Sequence, residues 1–73
     1  MMVREYAVIF EKGDISWGAC VPDLPGCFAV GDALEETERL IREAIPFHIR
    51  GMLADGDPVP EPRTRVASVA IAA

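Results

Sequence analysis

Hydrophobic and polar positions alternate along the first third of the chain. Over residues 3–11, Tyr6, Val8 and Phe10 fall on one side of an extended backbone and Ala7 and Ile9 on the other. The segment is rich in β-branched and aromatic residues, which predicts a strand with two apolar faces. Lys12-Gly13-Asp14 reads as a tight turn, with Gly13 free to take positive φ. A second strand is predicted over 15–21. Ile15, Trp17, Ala19 and Val21 share one face, and the small Ser16, Gly18 and Cys20 share the other. Pro22-Asp23-Leu24-Pro25-Gly26 is a rigid turn, and 27–31 can form a short third strand.

The period then changes. Leu34, Thr37, Ile41, Ala44, Ile45, His48 and Met52 recur at helical spacing, and Glu35, Glu36, Arg39, Arg42, Glu43 and Arg50 cover the opposite side. Asp32 is placed to cap this helix, with Glu35 three residues on as a variant capping box. The acids of the first turns suit the positive end of the helix dipole. Pro46 falls on the polar side, so the pattern predicts one kinked but continuous helix ending near residues 53–55, with Gly56 as terminator. The proline-rich stretch 57–62 reads as a stiff connector. Residues 63–71 read as a last strand.

The expected fold is α+β: a β-β-β-α-β two-layer sandwich with sheet order 3-2-1-4 and the helix on one face. The right-handed crossover rule favours that order. Such a sandwich leaves the second sheet face bare and sticky. That face is the physical reason to expect a homodimer or a protein partner. At 73 residues the chain holds a single domain, 1–73. A domain this small buries only about 60% of its unfolded surface.

Composition narrows the function classes. A net charge of −5 argues against nucleic-acid binding, which needs a basic face. It suits a basic protein partner, and equally a soluble surface. The N-terminus turns polar at once and no apolar run is long enough to span a membrane, so a cytoplasmic location is expected. Cys20 and Cys27 lack zinc-site spacing and read as buried thiols. No metal or other cofactor is expected.

Trp17-Gly18-Ala19-Cys20-Val21-Pro22-Asp23-Leu24-Pro25-Gly26-Cys27 resembles the W-x-A-x-x-P-D-L-P-G-C/V signature of the HicB-like antitoxin family. Gly31-Asp32-Ala33-Leu34-Glu35-Glu36, Arg42-Glu43-Ala44-Ile45 with His48, and Gly56-Asp57-Pro58-Val59-Pro60-Glu61-Pro62 resemble three further family segments, in order. The resemblance implies a fold likened to part of ribonuclease H. It implies an antitoxin that binds HicA, a small basic ribonuclease that cleaves mRNA, and covers its active site. Many family members add a C-terminal DNA-binding domain. The chain stops after the last predicted strand, so no such domain is expected here.

Trp17, Pro22, Asp23, Leu24 and Pro25 are the candidate partner-binding residues. Leu24, at the tip of a preorganised loop, is the expected anchor. Asp23 can contact a partner, cap its own turn or serve as a carboxylate in catalysis. Trp17 reads as core beneath the helix or as an interface aromatic. His48 reads as a hydrogen-bonded histidine between helix and sheet, and alternatively as a ligand or general base. A metal-dependent nuclease needs clustered carboxylates, and the first strand has only Glu5 and Glu11, at its ends. No catalytic residue is therefore expected. The other readings are a solo oligomeric structural or regulatory module without a toxin, and a residual ribonuclease H-like nuclease.

Overall fold

The computed structural model describes residues 4–73. Three strands are followed by one helix: β1 (Ile9–Lys12), β2 (Trp17–Cys20), β3 (Phe28–Gly31) and α1 (Leu34–Ala54). The sheet is an antiparallel meander in the order β1-β2-β3. Its register aligns Phe10 with Ala19 and Ala19 with Ala29, and aligns Ile9 with Cys20 and Cys20 with Phe28.

Side-chain alternation divides these rows between two faces. Ala19, Val21, Leu24 and Cys27 form the buried core with Ile41 of the helix, and Tyr6, Val8, Phe10 and Ala29 pack against it. Ile9, Cys20, Phe28 and Val30 point to the other face and are exposed. The faces expected for Tyr6, Val8, Phe10, Ala19 and Val21 on one side and Ile9 and Cys20 on the other are those observed, whereas Ile15, expected beside Ala19 and Val21, lies outside β2 and is exposed.

The strands are shorter than alternation suggests. Residues 4–8 belong to no strand, and the first strand begins at Ile9. Val3 of the expected strand lies outside the described residues. Gly13 does not use positive φ. Its N–H instead donates to the Ser16 carbonyl at 2.8 Å, and the left-handed glycines are Gly26 and Gly56.

The helix runs unbroken through Pro46, which is exposed on the polar side as expected. Thr37 and Ile41 are its buried residues, with Ala44, Ile45, Ile49 and Met52 half-buried. Its start differs from expectation. The N-cap is Ala33 with no side-chain cap, and Asp32 contributes its backbone N–H, donated to Glu36 Oε2 at 3.2 Å. Glu36 therefore replaces Glu35 as the residue that reaches back. At the other end Gly56 N–H donates to Leu53 O at 3.2 Å and Asp57 N–H to Met52 O at 2.9 Å. These two bonds, with Gly56 at φ +75, make a Schellman stop.

The expected fourth strand does not form. Residues 57–73 pair with no strand, so the sheet has the order 3-2-1 without a fourth member. A strand needs a neighbour to take its backbone groups. The prolines at 58, 60 and 62 deny the preceding connector a ladder, and the chain is then tied to the β2–β3 turn.

Gly31 marks the closest approach of sheet and helix. A Cβ there would lie 2.6 Å from Thr37 Oγ1 and 3.0 Å from the Thr37 backbone nitrogen. Thr37 itself is fully buried, its hydroxyl donating to the Ala33 carbonyl at 2.8 Å.

Candidate functional site: a clamped turn and a bare sheet face

The turn between β2 and β3 is built by its own backbone. Val21 N–H donates to Cys27 O at 3.1 Å and closes the hairpin. Inside it, Leu24 N–H donates to Val21 O and Cys27 N–H to Leu24 O, each at 3.0 Å. The second of these turns has Pro25 and then Gly26 at its centre, with Gly26 at φ +83. That is the residue order a type II turn requires.

This double turn aims Leu24 inward. Leu24 has no exposed surface and is among the largest fully buried side chains. The expected anchor at the loop tip is thus a core residue, while Pro22 and Pro25 beside it are exposed. Two turns in succession reverse the leucine's direction, a geometry that the loop's composition alone does not reveal.

Asp23 has an unanticipated role. Its Oδ2 accepts the backbone N–H groups of Arg63 at 2.8 Å and Thr64 at 2.9 Å, and its Oδ1 accepts the Thr64 hydroxyl at 2.8 Å. The Thr64 amide, then the Arg63 amide, then the Thr64 hydroxyl hold its carboxyl below the usual carboxylate range. Asp23 therefore caps a segment 40 residues away rather than its own turn. Tyr6 secures the same segment upstream, its hydroxyl donating to Pro60 O at 2.6 Å. An exposed Arg4–Glu61 ion pair at 3.7 Å lies alongside. Residues 57–64 thus form a strap across the end of the sheet. A proline-rich composition signals stiffness, but nothing local to Asp23 signals this distant partner.

Trp17 is half-buried at the opposite end of β2 from the turn, paired with Lys12 and Gly31. The five candidate residues therefore do not converge on one site. His48 is half-exposed and lies against the turn rather than between helix and sheet: a Cβ at Gly26 would meet its Cε1 at 3.7 Å. Among the described residues no group of three or more His, Cys, Asp and Glu side chains is placed to hold a metal. Glu11 lies within β1 on the bare face, not at the strand's end.

Alternation pointed to the bare face, and the structure shows its extent. Phe28 is 67% and Val30 60% exposed. With Ile9, Glu11, Gly18 and Cys20 they line an open depression of about 240 Å³. Glycine at position 18 and a small thiol at 20 make its floor. Cys20 is exposed here, contrary to the expectation of a buried thiol, while Cys27 is buried and both are free. Burial pushes the Cys27 thiol pKa up.

The fold and this surface define a small α+β module whose sheet is covered by a helix on one side and left apolar and open on the other. Among the described residues no helix is long and apolar enough to cross a membrane. The family model for the HicB-like antitoxin of bacterial toxin–antitoxin systems matches residues 6–71. A UPF0150 protein of Synechocystis is 38% identical over 60 residues, covering 81% of this chain and 76% of that one. A 14.9 kDa protein from the rep–hol intergenic region of Haemophilus phage HP1 is 45% identical over 56 residues. That match takes in 77% of this chain and 42% of the phage protein, so the chain spans less than half of that relative. No solved structure matches the chain. The chain belongs to the HicB-like antitoxin family.

Proposed function

We propose that this domain is the toxin-binding part of an antitoxin: it binds a small basic HicA-like ribonuclease and covers its active site. The observation that carries this reading is the exposed apolar sheet face in a family of antitoxins. An open patch of Ile9, Phe28 and Val30 offers the apolar centre that a stable interface needs. The net charge of −5 favours encounter with a basic partner. Exposed Pro22 and Pro25, half-buried Asp23 and half-buried Trp17 are further proposed contacts, with Leu24 supporting the turn from beneath. The activity is binding rather than catalysis, it takes place in the cytoplasm, and the working unit is a homodimer. Direct nucleic-acid contact has no place in it, because the chain lacks an excess of basic charge.

Co-expression with a HicA-like toxin tests the proposal. The expected result is a co-purifying complex and loss of the toxin's RNA cleavage. Phe28→Glu with Val30→Glu should abolish capture while leaving the far-UV circular dichroism unchanged. Failure of the unaltered chain to bind any such toxin would favour the solo module instead.

A further inference from the structure

We propose that the C-terminal arm, residues 65–73, adds as a strand to the β1 edge of a second copy of the chain, and that two copies exchange arms reciprocally. This deepens the homodimer part of the proposed function and is independent of toxin binding.

The arm is the first observation. Beyond Thr64 every residue is exposed, with Val66 at 70%, Val69 at 82% and Ile71 at 81%. Extended, residues 65–73 reach about 30 Å. Alternation puts Ala67, Val69 and Ile71 on one face and Val66, Ser68 and Ala70 on the other. Apolar residues on both sides belong to a strand covered on both sides, yet here neither side is covered. The arm also stands off the body. The radius of gyration is 14.0 Å and the longest axis 47 Å, whereas a compact chain of this length has a radius near 11 Å.

The second observation is a vacancy of matching character. In the order β1-β2-β3, the outer edge of β1 has no neighbour among the described residues. Beside that edge, under the helix, runs a groove of about 390 Å³ whose apolar lining is Tyr6, Val8, Phe10, Ile41 and Ile45. A strand laid here gains ladder hydrogen bonds from β1 and fills the groove with alternate side chains. The bare sheet face offers no such hydrogen bonds. Charge agrees in sign: the arm carries Arg65 and no acid, while Glu5, Glu38 and Arg42 line the groove, and the pairing of Glu38 with Arg42 at 2.9 Å leaves Glu5 as the further acid there.

The third observation selects the second copy over the arm's own sheet. Asp23 holds the amides of Arg63 and Thr64 at the β2–β3 turn, so the arm departs from there and not from the edge of β1. The prolines at 58, 60 and 62 stiffen the approach. An arm held away from its own vacancy and complementary to it is satisfied by exchange, and a two-fold pair closes without leaving a free end.

Sedimentation equilibrium of the full chain at micromolar concentration should give twice the 7.9 kDa chain mass. Val69→Asp with Ile71→Asp alters only exposed positions, so it should leave the circular dichroism unchanged and yield monomers. In a mixed sample, isotope-filtered NOEs should connect Val69 and Ile71 methyls of labelled chains to Tyr6 and Phe10 ring protons of unlabelled ones. A monomeric wild type, a dimeric double variant, or NOEs confined within one copy would each overturn the proposal. Toxin capture by a monomer would leave the antitoxin reading standing and remove this one. A dimer that captures no toxin would do the reverse.

Discussion

The two faces of the sheet carry comparable apolar residues and have opposite fates. On one, Phe10, Ala19 and Ala29 form a row that packs with Leu24 and Ile41 beneath the helix. On the other, Ile9, Cys20 and Phe28 form the adjacent row and stay open. Hydrophobicity is not what separates them. Where the helix meets β2 and β3 the covered face carries small residues: Ala19 and Ala29 lie in register, and Gly31 admits Thr37. Close approach of a helix needs a shallow surface, and that face supplies one. The open face instead sets bulky Phe28 and Val30 beside Gly18 and Cys20 around an open depression.

The comparison makes an ordered set of predictions. The largest effect belongs to Leu24→Ala. It removes a side chain with no exposed surface and should cost about 2–5 kcal/mol in denaturant unfolding. Gly31→Ala comes next. The new methyl would press on Thr37 backbone atoms as well as its hydroxyl, and overpacking of this kind costs about 1–3 kcal/mol. Phe28→Ser on the open face should change the stability of the free domain by no more than about 0.5 kcal/mol. A large loss there would show that the face is part of the fold's own core and sink the distinction.

The cysteines report the same contrast chemically. Under native conditions a maleimide should modify Cys20 alone, and Cys27 should react only after unfolding, as mass spectrometry would record. Equal reactivity would mean that the core opens readily.

The smallest effect concerns the strap. Because the Asp23 carboxyl is held below its ordinary value, its hold on the strap is fully present above about pH 4. That hold is lost as the pH falls through the lowered value. Hydrogen exchange should therefore find the Arg63 and Thr64 amides protected in neutral and mildly acidic solution and released in stronger acid. In Asp23→Ala they should be released at every pH. Persistent protection in that variant would show that the strap is held by something other than this carboxylate.

These contrasts were unequally legible in the chain. Alternation in residues 6–10 and 17–21 sorted the strand faces, though it misplaced the exposed Ile15, and helical spacing found the buried stripe through Ile41 and Met52. Those signals repeat every two or three to four residues, so each position is corroborated by its neighbours. Gly56 was legible as a stop because a Schellman motif is local. Leu24 was misread because the direction of a turn residue depends on two successive hydrogen-bonded reversals, not on composition. Asp23 was only partly read, since its amide partners lie 40 residues on. The absent fourth strand has the same cause. Residues 63–71 have a strand's composition, but pairing depends on where Asp23 and the prolines send the chain.

The strap also sets an order of assembly. Both hairpins and the helix that follows them join segments adjacent in the chain. The bonds from Tyr6 to Pro60 and from Asp23 to Thr64 instead close separations of 54 and 41 residues. Contacts between near neighbours lose less loop entropy and form sooner. During synthesis Asp23 and Tyr6 leave the ribosome long before their partners do. The sheet and helix can therefore form first, and the strap is tied across them afterwards.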